Sequence, residues 1–96
     1  MQRLPTKKLW KTLVEVKWIE SAKEELESLD QPIQTRILDK ITWFKKNFEY
    51  LTPKPPSGEF QEFYKLRVGD WRVIYDLSDQ STIVIRAIGH RNDIYR

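Results

Sequence analysis

The chain has 96 residues, no cysteine, one histidine and a net charge of +3 at pH 7. Such a length makes one domain on the usual scale of ~100–200 residues. The composition excludes disulfides, cysteine-based metal sites and any multi-histidine metal site within one chain. No apolar run approaches the roughly 18 residues that a membrane helix needs. The basic start, MQRLPTKKLWK, leads into LVEVKWIE, which Glu15 and Lys17 interrupt, so it does not read as a signal peptide. A cytoplasmic protein that binds no membrane is expected.

In chain order, residues 1–12 form an arm or partial helix whose structure the pattern does not define. LVEVKWI (13–19) reads as a strand, with Leu13, Val14, Val16 and Ile19 in partial alternation. Ser21 with Glu24 three residues on predicts a capping box that opens the helix AKEELESL, striped by Ala22, Leu26 and Leu29. Asp30-Gln31-Pro32 marks a stop and a restart, since proline suits the start of a helix. A second helix over 32–47 follows, with Ile33, Ile37, Ile41, Phe44 and Phe48 at three- and four-residue spacing. LTPKPPSGEF (51–60) holds three prolines and a glycine, so it is a loop. Three strands are predicted over 61–68, 71–77 and 82–88, and GHRNDIYR closes the chain.

A two-residue turn at Gly69-Asp70 sets the register of the first two of these strands. It pairs Tyr64 with Tyr75, Leu66 with Val73 and Val68 with Trp71, giving an apolar face for the helices to cover. Ile83, Ile85 and Ala87 extend that face if the SDQS loop keeps parity. The other face then carries Phe63, Lys65, Arg67, Arg72, Ile74, Asp76, Thr82 and Arg86. Arg67 falls opposite Arg72, an arrangement that costs a few tenths to about 1 kcal/mol without a ligand and that the core does not demand.

Five of the seven arginines (67, 72, 86, 91 and 96) lie in the last thirty residues, whereas most glutamates lie in 15–62. A basic C-terminal third suits an anionic partner, nucleic acid above all. It also suits a solvated basic surface with no partner. Clustered lysine and arginine bind phosphates and stabilise charge developing at phosphorus. They can also cleave RNA without a metal. A lysine whose pKa is lowered by neighbouring arginines takes the 2′-hydroxyl proton, and arginines clamp the phosphoryl oxygens. Tyr95, His90 or an arginine completes the proton transfers. No catalytic carboxylate stands on this face, which disfavours a two-carboxylate hydrolase. Each residue also has a plain reading: a solvated strand lysine at 65, an Arg86–Asp76 ion pair, a packing histidine at 90, a docked tail at Tyr95.

The segments FYKLRVGDWRVIYDL and TIVIRAIGHRNDIYR resemble the RelE/ParE superfamily of bacterial toxins over about residues 13–96. The order of these motifs is specific to the superfamily. The RelE branch is similar in shape to microbial ribonucleases and cuts mRNA in the ribosomal A site; the ParE branch poisons DNA gyrase. By the resemblance, Lys65 matches a lysine of the catalytic face and Arg67 a basic position on the same strand. Arg72 matches the arginine after the hairpin's aromatic residue, and Arg91 the one after the glycine-led turn. Tyr95 matches the C-terminal tyrosine that closes over the reacting nucleotide, at a shorter spacing from Gly89. Phe63 stands where some RelE members have a second lysine, and His90 is common in this turn.

The expected fold is a single small α+β domain (1–96). Its N-terminal strand and helix hairpin pack on a mainly antiparallel four-stranded sheet, RelE-like and similar to microbial ribonucleases. The expected function is the toxin of a type II toxin–antitoxin pair, a metal-independent and cofactor-free endoribonuclease. Lys65, Arg72, Arg91 and Tyr95 are its catalytic candidates; Arg67, Arg86, His90 and Arg96 bind RNA. Ribosome, mRNA and a RelB-like antitoxin are the implied partners. A gyrase inhibitor and a non-catalytic RNA- or ribosome-binding module are the alternatives.

Overall fold

A computed structural model describes residues 14–51, 63–79 and 81–94. The predicted N-terminal arm, nearly all of the proline-rich loop, Tyr95 and Arg96 lie outside them. The described elements are β1 (Glu15–Trp18), α1 (Glu20–Glu27), α2 (Gln31–Asn47) with a 3-10 turn at Phe48–Tyr50, β2 (Tyr64–Val68), β3 (Trp71–Asp79), β4 (Thr82–His90) and α3 (Arg91–Ile94). The strands form one sheet in the order β1-β4-β3-β2. β1 runs parallel to β4, and the other neighbours are antiparallel. This is the expected α+β architecture.

Strand β1 passes into α1 with no intervening loop. Ile19 N–H still donates to Ile85 O at 3.1 Å, while Ile19 O accepts the N–H of Ala22 and of Lys23. Ile19 is therefore the N-cap, in extended conformation and with no side-chain cap. The capping box expected at Ser21 does not form, because the strand delivers the chain to the helix two residues earlier. At the other end, Gln34 of α2 donates through Nε2 to Leu29 O at 2.8 Å and to Glu27 O at 3.4 Å. One amide thus serves carbonyls that the end of α1 leaves unpaired.

Both helices cover one face of the sheet. Ala22, Leu26, Ile37, Ile41 and Phe44 meet Val14, Val68, Val73, Tyr75, Ile83, Ile85 and Ile88 in one core. Tyr64 stacks on Tyr75 with ring centroids 5.3 Å apart, and Phe44 meets Tyr75 edge-on at 5.1 Å. Burial pushes the Tyr75 phenol far above its ordinary pKa, with the neighbouring Tyr64 adding to the shift.

The β2–β3 register is the one read from the turn: Tyr64 pairs Tyr75, Leu66 pairs Val73, Arg67 pairs Arg72 and Val68 pairs Trp71. Gly69 has a φ of +62° and no other described residue is positive, the pattern of a type II′ turn with glycine first.

The third strand departs from expectation at Ala87. Tyr75 pairs Ile85 but Ile74 pairs Ala87, so Arg86 is an extra residue in β4. Past this bulge the parity inverts, and Ile88 enters the core in place of Ala87. β1 ends at Trp18, opposite Ile85, so β4 beyond that point has no strand on that side. Glu25 of α1 fills part of the gap, its Oε1 accepting Ile88 N–H at 2.8 Å.

Candidate functional site

The site is built on the sheet face away from the helices. β2 is an edge strand, and its alternation sends Lys65 and Arg67 to that face, both exposed. Arg72 stands directly across from Arg67, yet it does not share its environment. It is 7% exposed, the one charged residue buried among those described. Its Nη1 donates to Gly69 O and to Trp71 O, each at 2.9 Å. Its Nε meets no acceptor among the described residues.

These contacts explain how two arginines tolerate opposite positions. Arg67 extends into water, while the Arg72 guanidinium is committed to the negative ends of two peptide dipoles at the turn. The expectation that neither arginine serves the fold therefore fails for Arg72. Its side chain ties the turn to the strand that follows it.

The same turn gathers other arginines. Arg91 N–H donates to Asp70 O at 2.8 Å, and Arg91 Nε lies 3.6 Å from Asp70 Oδ1. Both side chains of that pair are more than half exposed, so the ion pair orients Arg91 more than it stabilises the protein. From the opposite layer, Arg36 of α2 reaches the turn: a Cβ on Gly69 would stand 2.6 Å from its Nη2. Arg36 was not among the sequence candidates. Nothing in the helical pattern distinguishes it from any other solvent-facing arginine, and only the tertiary fold brings it to Gly69.

Of the remaining candidates, Arg86 and His90 are engaged in structure. Arg86 lies 3.7 Å from Asp76 and 5.1 Å above the centre of the Phe63 ring. Phe63 thus carries a guanidinium over its face. His90 packs edge-on against Trp71 at 5.4 Å, and its Nδ1 accepts Asn92 N–H at 3.2 Å. This is the packing role weighed for it from sequence. Helix α3 then begins, and Ile94 occupies the space over Gly89, with its Cδ1 2.9 Å from where a Cβ would stand. Gly89 is the β4 partner of Arg72, so the chain end packs over the part of the face where Arg72 is buried. Tyr95 and Arg96 lie outside the described residues. Among those described, no cluster of potential metal ligands occurs.

A model of the ParE toxin of the type II toxin–antitoxin system parDE matches residues 16–95. The chain belongs to this toxin family. It is thus a RelE/ParE-type toxin of a type II toxin–antitoxin system. No curated protein matches the toxin. Among solved structures it is similar to a chain of the toxin–antitoxin complex RelBE2 from Mycobacterium tuberculosis. That match has a TM-score of 0.68 and 22% identity, covering 81% of this toxin and 98% of that chain. It is similar too to the isolated E. coli RelE toxin, with a TM-score of 0.63 and 14% identity over 85% of this toxin and 90% of that chain. A chain of the ParDE system from P. aeruginosa gives a TM-score of 0.63 at 14% identity, with 82% and 97% covered. At these identities the likeness is one of fold, and it extends to RelE and ParE systems alike.

Proposed function

We propose that the toxin is a metal-independent endoribonuclease that cuts mRNA in the ribosomal A site and is neutralised by a RelB-like antitoxin. The observation that carries this reading is the placement of three exposed cations on and beside one hairpin. Lys65 and Arg67 alternate on β2, and Asp70 holds Arg91 at its turn. Lys65 takes the proton from the 2′-hydroxyl, whose oxygen then attacks the adjacent phosphorus. Arg67 and Arg91 neutralise the equatorial oxygens of the phosphorane. The bond to the 5′-oxygen breaks as that oxygen gains a proton, a step assigned to Tyr95. The products are a 2′,3′-cyclic phosphate and a free 5′-hydroxyl. Arg72 acts from behind, positioning the turn on which Arg91 rests, while Arg86 and Arg96 add attraction for RNA. The ends of cellular mRNA test this after the toxin is produced without a partner. New 5′-hydroxyl ends within codons support the reading, and unbroken mRNA in growth-arrested cells overturns it.

One observation favours a second reading, inhibition of DNA gyrase without catalysis. Arg72 is internal and the Phe63 position carries no amine, so neither offers a charge to a phosphate, and the family model that the chain matches is that of a ParE toxin. Arrest with intact mRNA and relaxed plasmid DNA would be its signature.

A further inference from the structure

Helix α2 carries a surface that the sheet face does not explain. Arg36, Lys40, Lys45 and Lys46 stand against Asp39 alone, so this helix by itself bears a charge of +3. Trp43, in its last third, is 44% exposed and Tyr50, just beyond its end, is 65% exposed. Lys40 Nζ sits 4.3 Å from the centre of the Trp43 ring. The Lys40 ammonium covers one face of the indole, which therefore lies outside the apolar core. At 3.6 residues per turn, Arg36, Lys40, Trp43, Asn47 and Tyr50 fall on one stripe about 21 Å long. Its first member, Arg36, packs against Gly69 at the hairpin turn.

We propose that this stripe binds single-stranded RNA, a base displacing the Lys40 ammonium to stack on Trp43 while Arg36, Lys40 and Lys46 engage the flanking phosphates. A partner helix seated in a groove would need apolar anchors at i, i+3, i+4 and i+7. Here the other exposed apolar residue of α2, Leu38, points about 140° away from Trp43 around the helix. What shares the Trp43 stripe is cationic or polar. Aromatic faces set between cations are the composition of a single-strand platform, because every base has a face to stack and every nucleotide a charge. Double-stranded nucleic acid hides its base faces and gains nothing from the indole. The site lies on the helical layer, so it holds whether or not the sheet face cuts RNA.

The test titrates the purified full-length toxin into a fluorescein-labelled 2′-O-methyl RNA dodecamer, which lacks the attacking hydroxyl and cannot be cleaved. Anisotropy gives Kd at several salt concentrations, and thermal melts confirm that each variant folds. Trp43→Ala should weaken binding at least five-fold, as the loss of one stacked base does. Trp43→Phe should restore most of it. Replacing Lys40 and Lys46 by Gln should lower the salt slope by about 1.4, or ~0.7 per phosphate contact on a single strand. Arg67→Ala should leave the Trp43 effect unchanged, and a duplex of the same sequence should be indifferent to Trp43→Ala. A Kd for Trp43→Ala equal to the parent's overturns the proposal. So does a parent that does not bind the dodecamer, or one that binds an acidic helical peptide at Trp43 instead.

Discussion

The buried arginine is where residue-level chemistry departs most from pattern. Hydrogen bonds to a charged donor contribute about 1.5–3 kcal/mol, and Arg72 makes two of them at the turn. Arg72→Ala should therefore lower the unfolding free energy by about that much, measured by urea denaturation. Arg67→Ala should be neutral or slightly stabilising, since a repulsion is relieved. Equal stability in both variants would mean that Arg72 is dispensable to the fold. Tyr75 gives a second prediction. Its pKa is raised on folding, so the stability it confers is complete below the ordinary tyrosine value near 10 and is lost as pH rises above it. In that window the parent should lose up to about 1.4 kcal/mol per pH unit more than Tyr75→Phe. Parallel pH profiles would contradict the burial of the phenol.

At the scale of elements, the hairpin turn is the joint that carries the site. Gly69 combines a positive φ with Arg36 packed where a side chain would begin. Gly69→Ala should cost about 1–2 kcal/mol for the backbone alone and move the Arg36 guanidinium. The melting temperature reports the first effect. Much of this level was legible beforehand. Glycine followed by aspartate between alternating apolar residues determines both turn and register, so the Arg67–Arg72 pairing followed from sequence. Two features were not legible. The bulge at Arg86 depends on how β4 meets two strands at once, and TIVIRAI alternates equally well without it. The burial of Arg72 was the other: strand alternation sends position 72 to the open face, and only the structure shows its guanidinium turned onto the Gly69 and Trp71 carbonyls. The first helix began earlier than its capping signal implied because the hydrogen bond from Ile19 to Ile85 lies between segments far apart in sequence.

For the whole molecule, charge is divided by element more sharply than the net +3 suggests. Helix α1 bears four glutamates against one lysine, whereas α2 bears four cations against one aspartate; the hairpin is neutral by count, but its Lys65 and Arg67 stand exposed on one strand. A polyanion approaching this toxin meets cations on the hairpin and on the outer side of α2, with the Gly69 turn between them. The fold alone does not assign chemistry, because one scaffold supports different activities through the residues placed on it. RelE and ParDE chains share this architecture at similar TM-scores. The assignment rests on the hairpin's cations, and single-turnover cleavage of mRNA on programmed ribosomes probes them most directly. The account predicts that the parent cuts and that Lys65→Ala, correctly folded, cuts roughly 10²–10⁴ times more slowly, the usual contribution of a general base. A parent that leaves mRNA whole, or a Lys65→Ala variant that cuts at the parent's rate, would contradict it.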